Sequence, residues 1–421
     1  MMVHLNRIPN TRSDDRKLDV NNNQADQAPG YSASWVLFFL SASVGVAMIG
    51  LGIIWPLVPV YAVQLGAGGL QVGLIIASFN VARTFTNQLA GRLSDRWGRK
   101  SFILLGLFLY ATVSVLYVRS TGVEALILVR TFHGFTSVLV VPIAMALAAD
   151  IAPKAKLGLY MGTLNMAVML GLGLGPAIGG VIRDYLGMHA AFFTMGGLAL
   201  LTFFGVALFI PGSPEGGNRQ SDQPAAPLKD LLKHHIVQGL FLLRLFMAAG
   251  QGSVYTFLPI LALRMNLSSS QVGVILMTNI FLIAILSRIF GGLADRFSPK
   301  YMIIIGSFIS GLVVLGMPYA KGFAMILFLN IIMGIGNGLA MPGGFVITGY
   351  LGRTMGMGSI MGFTETGWSL GMIAAPIISG VVMDALGVRS IFLAGGILTI
   401  AGTLVIAFFL RGFSTEKHNP I

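Results

Sequence analysis

Twelve runs of predominantly apolar residues divide this chain, near 35–60, 71–92, 101–119, 123–147, 157–182, 189–210, 237–263, 271–293, 301–320, 323–348, 356–383 and 390–411. Each is about 20 residues or longer, enough to cross roughly 30 Å of hydrocarbon as a helix. The runs are continuously apolar and do not alternate in ~10-residue segments, so they predict helices and not barrel strands. Residues 1–34 are polar and Asn/Asp-rich and read as a disordered cytoplasmic tail; they lack the pattern of a cleaved signal peptide. One long internal polar stretch, 211–236, is rich in Pro and Gly and splits the runs six and six. The predicted architecture is an all-α membrane protein with twelve transmembrane helices in two six-helix bundles, 35–210 and 237–411. A short cytoplasmic tail follows at 412–421.

Composition agrees with lipid as the solvent: 55% of the 421 residues are hydrophobic, 10% are charged, and the mean hydropathy is +0.82. The net charge of +12 would suit nucleic acid if it clustered on a solvated face, but these Lys and Arg residues sit between apolar runs. No nucleic-acid partner is expected. With both termini inside, the cytoplasmic segments hold eighteen of the 27 basic residues and the outer loops hold five: Arg119, Arg183, Arg264, Lys321 and Arg389. That bias sets the orientation and predicts a multi-pass protein of the cytoplasmic membrane. The remaining four, Arg83, Arg130, Arg244 and Arg288, fall within spans. The chain has no cysteine, hence no disulfide, thiolate metal site or cysteine nucleophile.

Two internal echoes keep a register of 200 residues. "GRLSDRWGRK" (91–100) returns as "GGLADRFSPK" (291–300), and "GPAIGGVIRDYLG" (175–187) returns as "APIISGVVMDALG" (375–387), sharing Pro176/Pro376, Gly180/Gly380, Asp184/Asp384 and Gly187/Gly387. The halves are therefore read as structural duplicates. Parallel six-helix repeats flanking a substrate path suit a carrier that rocks one half against the other.

On these residues the chain resembles the major facilitator superfamily, from about residue 33 to 411. "GRLSDRWGRK" is similar at every specified position to the superfamily's signature between helices 2 and 3. The second copy departs from it at Ser298 and Pro299. On helix 5, Gly162, Gly171, Gly175, Pro176, Gly179 and Gly180 match the antiporter motif of the twelve-helix drug:proton antiporters, which implies export. Physically, glycines at this spacing clear one helix face for close approach, and the proline frees a carbonyl and bends the helix. "LILVRTFHGF" (126–135) resembles the family's helix 4 motif, whose arginine is Arg130.

The charges at depth are the candidate chemistry. Gly91, Asp95, Arg96, Gly98, Arg99 and Asp150 are read as an ion-pair latch at the cytoplasmic edge. The family resemblance implies that this aspartate also meets the N-terminal end of helix 11, near residue 356, and holds that face closed. Glu365 is the one acid well inside a span, where a carboxylate is expensive unless paired or protonated, and it is the first choice for proton coupling. The resemblance implies that Arg130 helps move the proton, and His133, one turn on, has a side chain suited to proton exchange. Arg83 is read as a substrate contact or as the partner of Glu365, and Arg244 as an interfacial side chain. The substrate cavity is expected to include Asn80, Arg83, Tyr255, Asn279, Asn337, Phe363 and Trp368, an adaptable surface suited to amphiphiles.

No Walker A sequence, G-x-S-x-G elbow or histidine-based metal cluster is present, so the chain is not read as an enzyme and no cofactor is expected. Energy is expected from a proton gradient. The reading is a monomeric proton-coupled antiporter exporting hydrophobic or amphiphilic drug-like compounds. The alternative is an exporter of a specific metabolite, siderophore or lipid-like anion; proton-coupled uptake and a nontransporting receptor are further rivals.

Overall fold

The computed structural model describes residues 33–153, 156–210, 227–294 and 297–411. The tail expected at 412–421, nearly all of that expected at 1–34, and residues 211–226 of the expected linker lie outside the described residues, as do Asp295 and Arg296 of the second signature copy. The described remainder of the linker includes a short helix, Leu228–Lys233.

The described residues form twelve long helical segments, spans 1 to 12, and no strand. Spans 1 to 6 are Ala33–Gln64, Gly69–Trp97, Arg99–Arg119, Val123–Ile151, Leu157–Leu186 and Met188–Phe209. Spans 7 to 12 are His235–Arg264, Ser269–Ala294, Pro299–Gly316, Phe323–Met355, Met357–Leu386 and Val388–Phe409. Eleven have the length and apolarity to cross a membrane. Span 2 has the length, 29 residues, but carries Asn80, Arg83, Arg92, Asp95 and Arg96 and is less apolar. The fourth apolar run is two helices, Val123–Ser137 and Val141–Ile151. Pro142, in the first turn of the second piece, has no N–H to donate to the carbonyl four residues back, so the ladder breaks there.

The repeated Gly187 and Gly387 each join two spans with a single residue, at φ +90° and +84°, a conformation that an L side chain resists. The twofold echo in sequence is thus an echo in backbone.

Span 1 lies along span 5 and span 7 along span 11, inside their own halves; span 5 also meets span 8, and span 11 meets span 2, across the halves. The cross-half seams are tight at the face away from the chain termini, here called the distal face. A Cβ on Gly180 would strike the Ser269 backbone and one on Gly273 the Pro176 backbone; in the mirror seam Gly380 abuts Gly69 and Gly73 abuts Pro376. Trp55 and Tyr255 meet edge to face across the middle, ring centroids 5.0 Å apart.

Toward the opposite, terminal face the same helices diverge. Gly91, Gly162, Gly291 and Gly362 sit on these four helices and have no neighbour within 4 Å of where a Cβ would stand. Asn87, Met166, Met361 and Glu365 are exposed. The molecule is closed at the distal face and open at the terminal face.

Candidate functional site

The open cleft narrows upward to a charged set in the wall of the C-terminal half. Arg244 is nine residues into span 7 and Glu365 eight into span 11, so both lie about 12–14 Å from the helix ends at the terminal face. Their side chains form an ion pair and charge-assisted hydrogen bond. The Arg244 guanidinium also stands over the Trp368 ring, 4.7 Å from its centroid. Glu365 and Trp368 are three residues apart on one helix face and grip the same cation from span 11. A charged side chain at depth costs on the order of 3 kcal/mol on insertion scales, which pairing offsets, and the aromatic contact adds about 0.5–2 kcal/mol. Glu365 keeps 56% of its side chain exposed, against 20% for Arg244. The carboxylate is therefore reachable from the cleft while its partner is fixed in the wall.

Beside the pair, spans 7, 10 and 11 enclose a cleft with about 460 Å³ of empty space, part of it open to solvent, lined by Leu243, Met247, Met341, Phe345, Arg244 and Glu365 among others. Methionine and aromatic side chains repack around varied apolar shapes, and one ion pair supplies polarity. Phe363 packs on Phe241 of span 7, centroids 5.0 Å apart, on the same wall.

The expected partner of Glu365 is corrected: the ion pair is with Arg244, which is no interfacial side chain, and not with Arg83. Arg83 is exposed on span 2, one turn from Asn80, whose amide donates to the Met372 carbonyl of span 11 at 3.4 Å. Its helix position therefore lies near the seam between the halves where that seam begins to open.

Three other expected cavity residues are buried. Tyr255 is 6% exposed and its hydroxyl donates to Asn279 Oδ1 at 3.0 Å; Asn279 is fully buried and donates to the Asn330 carbonyl at 2.9 Å. Asn337 accepts from the Ser310 hydroxyl at 2.9 Å, turned toward span 9 and away from the central cleft. Asn279 and Asn337 tie the C-terminal bundle together, and only Tyr255 borders the closed middle through Trp55. Sequence spacing does not resolve which face of a continuously apolar helix meets the cleft.

Arg130 and His133 form a second buried group. The Tyr117 hydroxyl lies 3.0 Å from His133 Nδ1 and accepts from Arg130 at 3.3 Å, and Arg130 stands over the Phe79 ring at 4.5 Å. Arg130 is 3% exposed and His133 0%. In this state neither reaches the cleft that Glu365 faces.

At the terminal edge, Arg99 bridges Asp95 at 2.9 Å and Asp150, joining the start of span 3 to the ends of spans 2 and 4. Gly98, φ +87°, makes the one-residue turn that aims Arg99 between them. Arg96 is exposed beside these ion pairs, and Gly91 has no neighbour within 4 Å of where a Cβ would stand, nor has Gly362 in the first half of span 11. The ion-pair part of the expected latch thus stands within the N-terminal half while the terminal face is open.

In the helix 5 motif, Gly171, Gly175 and Gly179 lie against span 1, at Gly45, Gly52 and Ile53, Gly180 lies against span 8, and Pro176 meets both, its ring near Gly52 and its carbonyl near Gly273. Gly162 alone of the six faces open space.

Comparison with known proteins agrees with this architecture. The sequence model of the Major Facilitator Superfamily matches residues 40–268 and 240–420, and the chain belongs to that superfamily of membrane transporters. An uncharacterised transporter of the same type from Methanocaldococcus jannaschii is 31% identical over 369 residues, covering 86% of this chain and 95% of the relative. Multidrug resistance protein 2 of Bacillus subtilis is 24% identical, covering 87% of this chain and 93% of its own length. The quinolone resistance protein NorA of Staphylococcus aureus is also 24% identical, covering 88% and 95%. Among solved structures, a bacterial homologue of the human lysosomal transporter Spinster, inward-facing and unoccupied, superposes with a TM-score of 0.80 at 14% identity over 92% of this chain and 98% of its own.

Proposed function

We propose that this transporter is a proton-coupled antiporter of the cytoplasmic membrane that exports hydrophobic or amphiphilic drug-like compounds by alternating access. The observation that carries the reading is the Arg244–Glu365 pair, with a half-exposed carboxylate facing the open cleft beside a methionine-lined pocket. The similarity to drug-resistance proteins and the glycine motif of span 5 support export. The excess of basic residues on the terminal side supports its placement in the cytoplasm, which makes the open cleft inward-facing.

In this mechanism the ionised carboxylate is held by Arg244. Protonation dissolves the pair, removes the carboxylate's charge and leaves the guanidinium to the pocket. Substrate entering from the cytoplasmic side restores ionisation and expels the proton, so proton and substrate occupy the site in turn. Both states avoid an unpaired carboxylate at depth.

The test is substrate-driven proton release from proteoliposomes, wild type against Glu365→Gln, with cationic, neutral and anionic amphiphiles. Release by wild type that falls by tenfold or more in Glu365→Gln is the expected result, and unchanged coupled transport in the variant overturns the assignment. A second reading, export of an anionic metabolite or lipid-like compound, is favoured by Arg83, an exposed cation near the opening seam. It requires the anionic members to be the transported ones and Arg83→Ala to abolish their transport.

A further inference from the structure

The second internal echo, with its paired aspartates, has no part in the proton and substrate chemistry above, yet both copies do the same thing in space. Asp184, in the last turn of span 5, reaches across to the other half, where Oδ1 accepts from the Ser269 amide at 3.0 Å and Oδ2 from the Ser270 amide at 2.7 Å. The Ser270 hydroxyl adds a third bond to Oδ2 at 2.6 Å, and the neighbouring Arg183 donates to the Ser269 hydroxyl. Asp384, at the same place on span 11, accepts from the Gly69 amide at 2.6 Å and the Leu70 amide at 2.8 Å. The receiving groups are the first amides of spans 8 and 2, which have no partner in their own helices.

Each receiving helix already uses its own glutamine on the preceding residue. Gln71 accepts from the Gly68 amide at 2.9 Å and Gln271 from the Ser268 amide at 3.0 Å. The next two amides are left to a carboxylate from the opposite half. Carboxylate bonds to amides at a helix N-terminus are charge-assisted and favoured by the helix dipole.

These bonds flank the tight seams of the distal face. One turn inward from Asp184, Gly180 abuts Ser269; one turn inward from Asp384, Gly380 abuts Gly69. Spans 5 and 8, or 2 and 11, cannot part at that face with the carboxylates still on the amides.

We propose that Asp184 and Asp384 are the positioning residues of the alternation step, two carboxylate latches that hold the distal face closed and must both release for the cleft to open there. The inference rests on alternating access but not on proton coupling or on the identity of the substrate. The latches are unequal: Asp184 has three bonds with Arg183 beside them, Asp384 has two. The Asp384 side is the weaker and releases first.

The native chain lacks cysteine, so spin labels at Thr121→Cys and Lys321→Cys, both exposed on distal loops, are uniquely placed. Their separation in the full-length protein in nanodiscs is read by pulsed electron paramagnetic resonance. Asp384→Asn is expected to raise the population with the longer distance, Asp184→Asn to raise it more, by about tenfold in the open-to-closed ratio, and the double variant to make it predominant. Thermal stability in detergent is measured alongside. Lower stability with an unchanged distance distribution in both single variants overturns the proposal and leaves the aspartates as structural staples. Should the double variant fail to purify, the rank order of the singles decides. Loss of substrate-driven proton release in Glu365→Gln with the latch shift intact would separate the two readings.

Discussion

Gly175→Val is expected to abolish stable folding of the N-terminal half. Span 5 lies against span 1 so closely that a Cβ on Gly175 would stand 2.5 Å from the Gly52 Cα and 2.6 Å from the Ile49 carbonyl oxygen. Both are backbone atoms that no rotamer change can move. Relief requires the helices to separate along the seam that also holds Gly171 and Gly179. Overpacking of an ordinary core costs about 1–3 kcal/mol, and a rigid backbone contact places this substitution at or beyond the upper end. Gly162→Ala, in the same motif, is expected to be neutral or stabilising by up to ~1 kcal/mol, because its Cβ meets nothing and alanine favours helix. Thermal denaturation of the detergent-solubilised variants followed by size exclusion checks both. A Gly175→Val protein that stays monodisperse with an unshifted midpoint would show that the seam is not what holds these helices.

The contrast shows what the sequence made legible and what it withheld. The apolar runs are the spans, because hydrocarbon leaves the backbone no alternative to internal hydrogen bonds. The 200-residue register of Asp184 with Asp384 and Gly187 with Gly387 is visible because both copies meet the same backbone demand, a positive φ and a carboxylate at a helix end. The break at Pro142 is masked by the apolar residues around it, since hydrophobicity registers the solvent and not the ladder. The partner of Glu365 was beyond spacing altogether. Arg83 has polar neighbours in Asn80, Thr84 and Asn87 that mark a cavity-facing stretch, while Arg244 stands among Leu and Phe, and only the packing of span 7 along span 11 brings Arg244 to the carboxylate. Asn279 and Asn337 look like lining residues in sequence because a polar side chain in a membrane helix satisfies itself either with a cavity or with a neighbouring helix. Here the neighbours are Asn330 and Ser310.

Gly362→Leu and Gly162→Leu are expected to stop transport by more than tenfold while leaving the open-cleft state folded and as stable as the parent. Each glycine lies 18 residues from a distal counterpart, Gly380 or Gly180, which is five full turns and about 27 Å along the same helix face. Gly91 stands in that relation to Gly73, and Gly291 to Gly273. The distal member of every pair is packed against the opposite half, and the terminal member faces open space. A helix with glycine at both ends of one face, packed at one end and bare at the other, has room for a second seam. Closing the terminal face would bring Gly362 toward span 2 near Gly91, and Gly162 toward span 8 near Gly291, so a leucine, whose Cβ has no neighbour within 4 Å now, would block the approach then. Leucine is also the better helix former, by about 0.5–1 kcal/mol, so the thermal midpoint should hold or rise. Proteoliposome transport and the Thr121–Lys321 label distance, measured on the same preparations, give the readout: inactive protein with its distal face shut is the expected pairing. Full transport by either variant would mean that these helices never close on the face their glycines leave bare.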